Sequence, residues 1–499
     1  MRERASRLLV FVVLVLGMAS IGYFNKGIAT AAPQRNIANN VYLPIIPIRS
    51  PQPTTDLEVV HMGLYQSVQS QSNDVTLIAR KPAILRIYAQ ASDSIGPIPS
   101  ARIRVDASRN GQLIGSINSP LQIVSANPMP EDMDSTFNLD LPVDWLSGQL
   151  VLTATIDTGD TVPEFSEGNN TLRSTFQFQD VAPLNLTIVP INYVDTVTGK
   201  TFTQPGYDPI SDWLLSAFPI SEIRVNIHAP LNFTGDLRQG EDWGRLLEEV
   251  TQVWANEAGQ GSSHIYYGLI PNTTSGGEGW FSGGVSGLGW IGQRVSIGLD
   301  MGPATATSAA HEIGHNLGRH HAPCGNPSGV DPYFPYANAS IGVFGVDTSD
   351  ETLLDPDSTH DIMSYCGPEW VSDYTYEALF YDQSLRGGQS GVTGEGTFVT
   401  TILKDNDSAS LGTTDYHRLA IGLLADSPYQ VQLVDRDGQT IATYPAELYT
   451  AQETGVRVAM LAAFIPDTNG ANAEIAKLRF TSGSVVLTEE VVAERPASE

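Results

Sequence analysis

His311-Glu312-Ile313-Gly314-His315-Asn316-Leu317-Gly318-Arg319-His320-His321 is the stretch on which the reading of this chain turns. Only nine histidines occur in 499 residues, and four of them fall here. The small residues from Ala304 to Ala310 just upstream favour a helix. On a helix His311 and His315, four apart, lie one above the other on one face, so two imidazoles can grip one metal ion. Glu312 projects beside that row, within reach of a water on the metal. Gly318 supplies the left-handed residue that ends the helix. The chain then doubles back and His321 brings a third nitrogen, with His320 as its rival one residue off the spacing. The pattern H-E-x-x-H-x-x-G-x-x-H is an extended zinc motif. Three protein ligands leave a fourth position for water, which separates a catalytic zinc site from a closed structural one. The chemistry implied is hydrolysis. Zinc acidifies the water and polarises a carbonyl, while Glu312 takes the proton and hands it to the leaving amine.

Further along stands Asp361-Ile362-Met363-Ser364-Tyr365-Cys366, with Met363 lying 42 residues after His321. Together the two motifs resemble the metzincin clan of zinc peptidases, whose second mark is a tight Met-containing turn beneath the metal. The resemblance spans about 200 residues and implies an α/β catalytic domain with Met363 in the Met-turn. By the same resemblance Tyr365 is a stabiliser of the oxyanion or a switchable ligand, as in serralysins and astacins. A packed aromatic beside the turn is the other reading. The calcium repeats of serralysins are missing. Pappalysin-like members carry cysteines after the third histidine and near the turn, which implies a disulfide between Cys324 and Cys366. A free thiol or a cysteine ligand on the zinc stays open.

Around this centre, 499 residues at roughly 150 per domain imply about three domains. Arg2, Arg4 and Arg7 precede an apolar run from Leu8, the order of a secretory signal peptide with a cleavage site at Ala29-Thr30-Ala31. An uncleaved membrane anchor is the alternative, since the run is close to the shortest span of a bilayer. Residues 32–54, with five prolines, read as an extended linker. Short apolar runs between turn clusters over 55–180 predict a β-sandwich. Its end, Glu164-Phe165-Ser166-Glu167-Gly168-Asn169-Asn170, resembles the Glu-x-x-Glu-x-Asn-Asn signature of bacterial immunoglobulin-like modules related to cell adhesion (CARDB-like). Strand and helix alternate over 181–392, the α/β part. Residues 393–499, with a hairpin turning at Asp437-Gly438, predict a second β-sandwich. The expected architecture is thus an α/β metzincin-like domain flanked by two sandwiches.

Fifty-five acidic against 27 basic residues give a net charge of −28, which repels nucleic acid and anionic lipid. The expected partners are protein or peptide substrates, with cell-surface or glycan contact through the sandwich modules, no nucleic acid, and no membrane once the signal is removed. Val295–Leu299 reads either as the strand that pairs with substrate or as a buried core strand. Phe233-Thr234-Gly235-Asp236 is similar to the inhibitory aspartate motif of astacin propeptides, though a plain turn explains it. Asp347, Asp350, Asp355, Asp357 and Asp361 form either a Ca2+ site or a solvated loop. His360 is a candidate for substrate contact or a surface residue. The sequence therefore points to a secreted zinc endopeptidase with Glu312 as general base. The alternative is an extracellular adhesin or glycan-binding protein with an inert zinc domain.

Overall fold

The computed structural model describes residues 55–92, 99–203, 209–258, 262–273, 279–382, 394–403, 409–411, 415–419, 427–453, 456–466 and 475–491. The expected signal peptide (1–31) and linker (32–54) lie outside them. Among the described residues no helix is long and apolar enough to cross a membrane.

Alternation of side chains builds the first module. In β6 (Gln149–Ile156) the residues Leu150, Leu152, Ala154 and Ile156 are buried, and those between are not. The module pairs a three-stranded sheet, β1 (Asp56–Tyr65), β2 (Ile84–Ser92) and β5 (Phe137–Asp140), with a five-stranded one. The latter is ordered Leu77–Ile78, β7 (Thr171–Gln179), β6, β3 (Ile103–Arg109) and β4 (Gln112–Asn118). Leu85, Ile87, Val105, Leu152 and Phe176 fill the space between them.

The middle of the chain has a different grammar. The strands β8 (Leu184–Asp195), β11 (Ile265–Ile270) and β13 (Val295–Leu299) run parallel, and every residue of β11 and β13 is buried. Strands covered on both faces read as unbroken apolar runs. Two short strands, β9 (Ile223–Ile227) and β10 (Leu231–Gly235), pair with successive halves of β8. One face of this sheet is covered by α1 (Pro209–Ala217), α3 (Thr305–Asn316) and α4 (Asp373–Phe380). The other is covered by α2 (Gly240–Glu257), whose Trp243, Leu247, Val250 and Trp254 recur at helical spacing on its buried side. The sheet ends on β12 (Gly287–Gly289), antiparallel to β13. Val295–Leu299 is accordingly an interior strand, and the edge is the glycine-rich segment before it.

The third module differs from expectation. It is a single eight-stranded sheet, whose main strands are β14 (Gly394–Leu403), β15 (Tyr429–Val434), β16 (Thr440–Glu453), β17 (Val456–Pro466), β18 (Lys477–Ser482) and β19 (Val485–Val491). The turn at Asp437-Gly438 joins β15 to β16, with Gly438 at a φ of 82°. Among the described residues no second sheet packs against it. Val458, Met460, Ala462 and Phe464 of β17 enter the core of α2, and Val399, Val431, Leu461, Ile465 and Phe480 form a cluster on the other face. Gly244 of α2 meets Val458, and a Cβ there would stand only 3.0 Å from its methyl group. Trp243, Trp254 and Val458 therefore share one core.

Candidate metal centre

The helix α3 carries the first two histidines because of what surrounds it. Ala309, Ala310 and Gly314 keep one side slim, and all residues from Ala309 to Asn316 are buried. Its end is fixed twice. Gly318, at a φ of 83°, lets the amides of Gly318 and Arg319 donate to the carbonyls of His315 and Gly314, both at 2.9 Å. Asn316 donates to the carbonyls of Trp290 (3.1 Å) and Val295 (2.8 Å) and accepts from Ser296 (2.8 Å), tying the helix to the sheet. Beyond the turn, the Asp331 amide donates to the His321 carbonyl at 2.8 Å, and Asp331 pairs with Arg319 and accepts from Tyr374.

Each histidine is oriented by its Nδ1. The ring of His311 hydrogen-bonds the Ile362 carbonyl (2.7 Å), that of His315 the Arg319 carbonyl (2.7 Å), and that of His321 the Ser328 carbonyl (2.5 Å). A carbonyl can only accept, so each Nδ1 is the donor, and in the neutral ring that tautomer leaves the lone pair on Nε2, facing the centre. The Nε2 atoms of His315 and His321 are 3.2 Å apart. His320 is exposed and does not join the group.

A fourth side chain enters from the third module. The Oε1 of Glu453, the last residue of β16, lies 3.1 Å from His321 Nε2, 3.5 Å from His315 Nε2 and 3.7 Å from His311 Nε2. Glu453 stands where three protein ligands alone would leave a position to water, and it comes from outside residues 181–392. Glu453 had no local signal in the sequence; nothing about Ala451-Gln452-Glu453 marks it beyond the end of a strand.

Four donors so disposed fit one dication. In a tetrahedral site with bonds of about 2.0–2.1 Å, ligand atoms stand about 3.3 Å apart. His311 Nε2 is buried without a hydrogen-bond partner, and so is Oε2 of Glu312. Burial pushes the Glu312 carboxyl well above its usual range, and the charge of Glu453 adds to the effect. Burial likewise lowers His315 to about 4, against the pull of Glu453, so its imidazole is held neutral, the form that binds a metal. Burial works against the charge on Glu453, but the three histidines around it outweigh that and hold the carboxyl well below its usual range. A dication supplies the positive charge that two buried carboxyls need.

Beneath the centre runs the turn with Met363. Its sulfur fills the space that a Cβ at Gly314 would take. The buried Asp361 shapes the turn by accepting from the amides of Met363 (2.8 Å) and Ser372 (2.9 Å). The disulfide between Cys324 and Cys366 joins the segment after His321 to this turn. The Tyr365 amide also donates to the Cys324 carbonyl at 3.0 Å. The Tyr365 hydroxyl lies 3.3 Å from His321 Nε2 and donates to Oε2 of Glu453.

Above Glu312 lies the edge strand. A Cβ at Gly287 would fall on the Glu312 carboxyl, so only glycine lets β12 cross there. Gly287 and Gly289 are positioning residues that the sequence reading passed over, although a Gly-x-Gly in a stretch of strand is the mark of close backbone approach. Between β12 and the Met363 turn a cavity of about 360 Å³ is lined by Met301, Thr307, His311, Glu312, Tyr365 and Glu453, among others.

The other candidates stand elsewhere. Asp347, Asp350 and Asp355 each accept from an amide two residues on, Asp361 is spent on the turn, and the His311, His315, His321 and Glu453 group is the one metal-ligating cluster among the described residues. His360 bonds the Asn338 carbonyl, and Asp236 pairs with Arg238 at the end of β10.

No family model matches the chain. No curated protein matches it either. Among solved structures, the chain is similar to a CARDB domain of a Pyrococcus furiosus protein, in complex with di-metal ions, at 22% identity. That likeness covers 26% of this chain and 97% of that one, with a TM-score of 0.17. A domain of a Methanosarcina acetivorans protein described as a cell surface protein is similar at 20% identity, over 26% of this chain and 94% of that one, with a TM-score of 0.17.

Proposed function

We propose that this protein is a zinc-dependent endopeptidase of the metzincin type, acting outside the cytoplasm on extended stretches of polypeptide. The observation that carries the reading is the convergence of three carbonyl-locked histidines with a buried, partner-free carboxyl oxygen of Glu312. Zinc held by His311, His315 and His321 would supply Lewis-acid chemistry, polarising a carbonyl and lowering the pKa of water. Glu312 then accepts the water's proton at Oε2 and passes it to the departing amine. The Tyr365 hydroxyl donates to the carbonyl oxygen as it gains charge. Among the described strands β12 pairs only with β13, so its outer edge suits an added substrate strand. The N-terminal apolar run and the disulfide favour an oxidising compartment.

Removal of metal by a chelator should abolish cleavage of a quenched peptide library, and one equivalent of Zn2+ should restore it. Cleavage that survives full metal removal would exclude this function. A second reading is favoured by Glu453: a closed four-ligand zinc that only fastens the third module to the middle one, in an adhesin without turnover. That reading predicts tight metal binding and no hydrolysis under any activation.

A further inference from the structure

We infer that the end of β16 is a built-in inhibitor, with Glu453 as a displaceable fourth ligand, so that the chain folds into a latent form of the peptidase. The inference rests on the proposed hydrolytic function. Its starting point is that one carboxylate engages both groups assigned to the reaction. Oε1 of Glu453 faces the three Nε2 atoms at 3.1–3.7 Å, while Oε2 accepts from the Tyr365 hydroxyl. A carboxylate is also what peptide hydrolysis leaves on the acyl side of the cut bond. Glu453 thus sits as a product carboxylate would, one oxygen toward the metal and the other on the oxyanion donor.

The main chain leading to it occupies the cleft as well. The Ile291 amide, two residues past the edge strand β12, donates to the Thr450 carbonyl at 2.9 Å. Gln452 packs over Gly329, in the loop after His321. Residues 450–453 therefore run past the edge strand to the metal ligands, along the route a substrate would take. The partner strand anchors them: Val456, Val458, Met460 and Phe464 of β17 are buried with Trp243, Leu247 and Trp254. A carboxylate tethered in this way has a high effective concentration at the metal, against which a free peptide must compete.

The test uses the full chain loaded with Co2+ or Zn2+, as wild type, Glu453→Gln and Glu453→Gly. Loss of a ligand should weaken Co2+ binding by about tenfold or more and change the visible spectrum of bound Co2+ as water enters. Hydrolysis of the quenched peptide library should rise about tenfold or more above wild type. Gln keeps the shape of the side chain, so it decides the matter if the Gly variant misfolds by circular dichroism. Unchanged spectrum and affinity in both variants would overturn Glu453 as a ligand. Altered coordination with a wild type already as active as the variants would overturn inhibition while leaving the peptidase function intact. Altered coordination with no hydrolysis by any of the three would sink the peptidase function itself, and latency with it.

Discussion

Oε1 of Glu453 lies 3.1 Å from Nε2 of His321, although 132 residues separate the two in the chain. The contact joins a helix-and-turn motif of the middle module to the end of a strand in the third. X-ray absorption at the zinc edge should find three nitrogen neighbours at about 2.0–2.1 Å and one oxygen at about 2.0–2.2 Å. In Glu453→Gln the oxygen shell should become exchangeable water. A sulfur neighbour would instead indicate that the disulfide is open and a cysteine is bound.

Gly314 has no room for a side chain. Gly314→Ala would drive a methyl into the Met363 sulfur, and the buried helix cannot move away because Asn316 fixes its end. The expected loss is about 1–3 kcal/mol, read by urea denaturation of the metal-free protein. Gly314→Ala combined with Met363→Ala should lose less than the sum of the two single changes, because the second makes the space the first requires.

The Cys324–Cys366 bridge closes a loop of 42 residues, which on the chain-entropy model is worth about 4 kcal/mol. Replacing both cysteines by alanine should lower the denaturation midpoint accordingly. It should also weaken zinc binding, because the bridge holds the His321 segment against the turn whose Ile362 carbonyl orients His311. Unaltered affinity would mean that backbone hydrogen bonds alone fix the ligands.

Lys81 offers a test of the contact between the first and middle modules. Its ammonium is fully buried and donates to the carbonyls of Leu215 and Ser216 at the end of α1. Burial lowers its pKa to about 7 from 10.5, with Asp347 opposing. The unfolded chain therefore binds this proton more readily than the folded one between pH 7 and 10.5. Stability from this group is greatest above pH 10.5, falls as the pH drops towards 7, and is level below that. Relative to Lys81→Met, the wild type should gain about 3–5 kcal/mol between pH 7 and pH 10.5. A difference that does not change with pH would show that the ammonium is solvated.

The parts legible in the sequence are those whose geometry is local. One helical turn sets His311 against His315, and Gly318 reverses the chain towards His321, so eleven residues contain all three histidines of the site. Glu453 was not legible, because its place depends on how β17 packs on α2 through Val458 and Gly244, a contact between residues far apart in sequence. The edge strand was hidden for a different reason. Gly287-Leu288-Gly289 has poor strand propensity, whereas the apolar Val295–Leu299 suits an edge or an interior equally until its neighbours are known. The third module could be read as strands, but alternation in β17 shows only that both faces are covered, not that α2 rather than a second sheet covers one of them.

The most direct measurement is the rate of peptide cleavage by zinc-loaded Glu453→Gln against the same protein also carrying Glu312→Ala. Cleavage should fall by about 10²–10⁴-fold in the second protein while its zinc content stays at one per chain. Equal rates in the two proteins, with zinc bound in both, would contradict the assignment of Glu312 as the base and with it the hydrolytic centre.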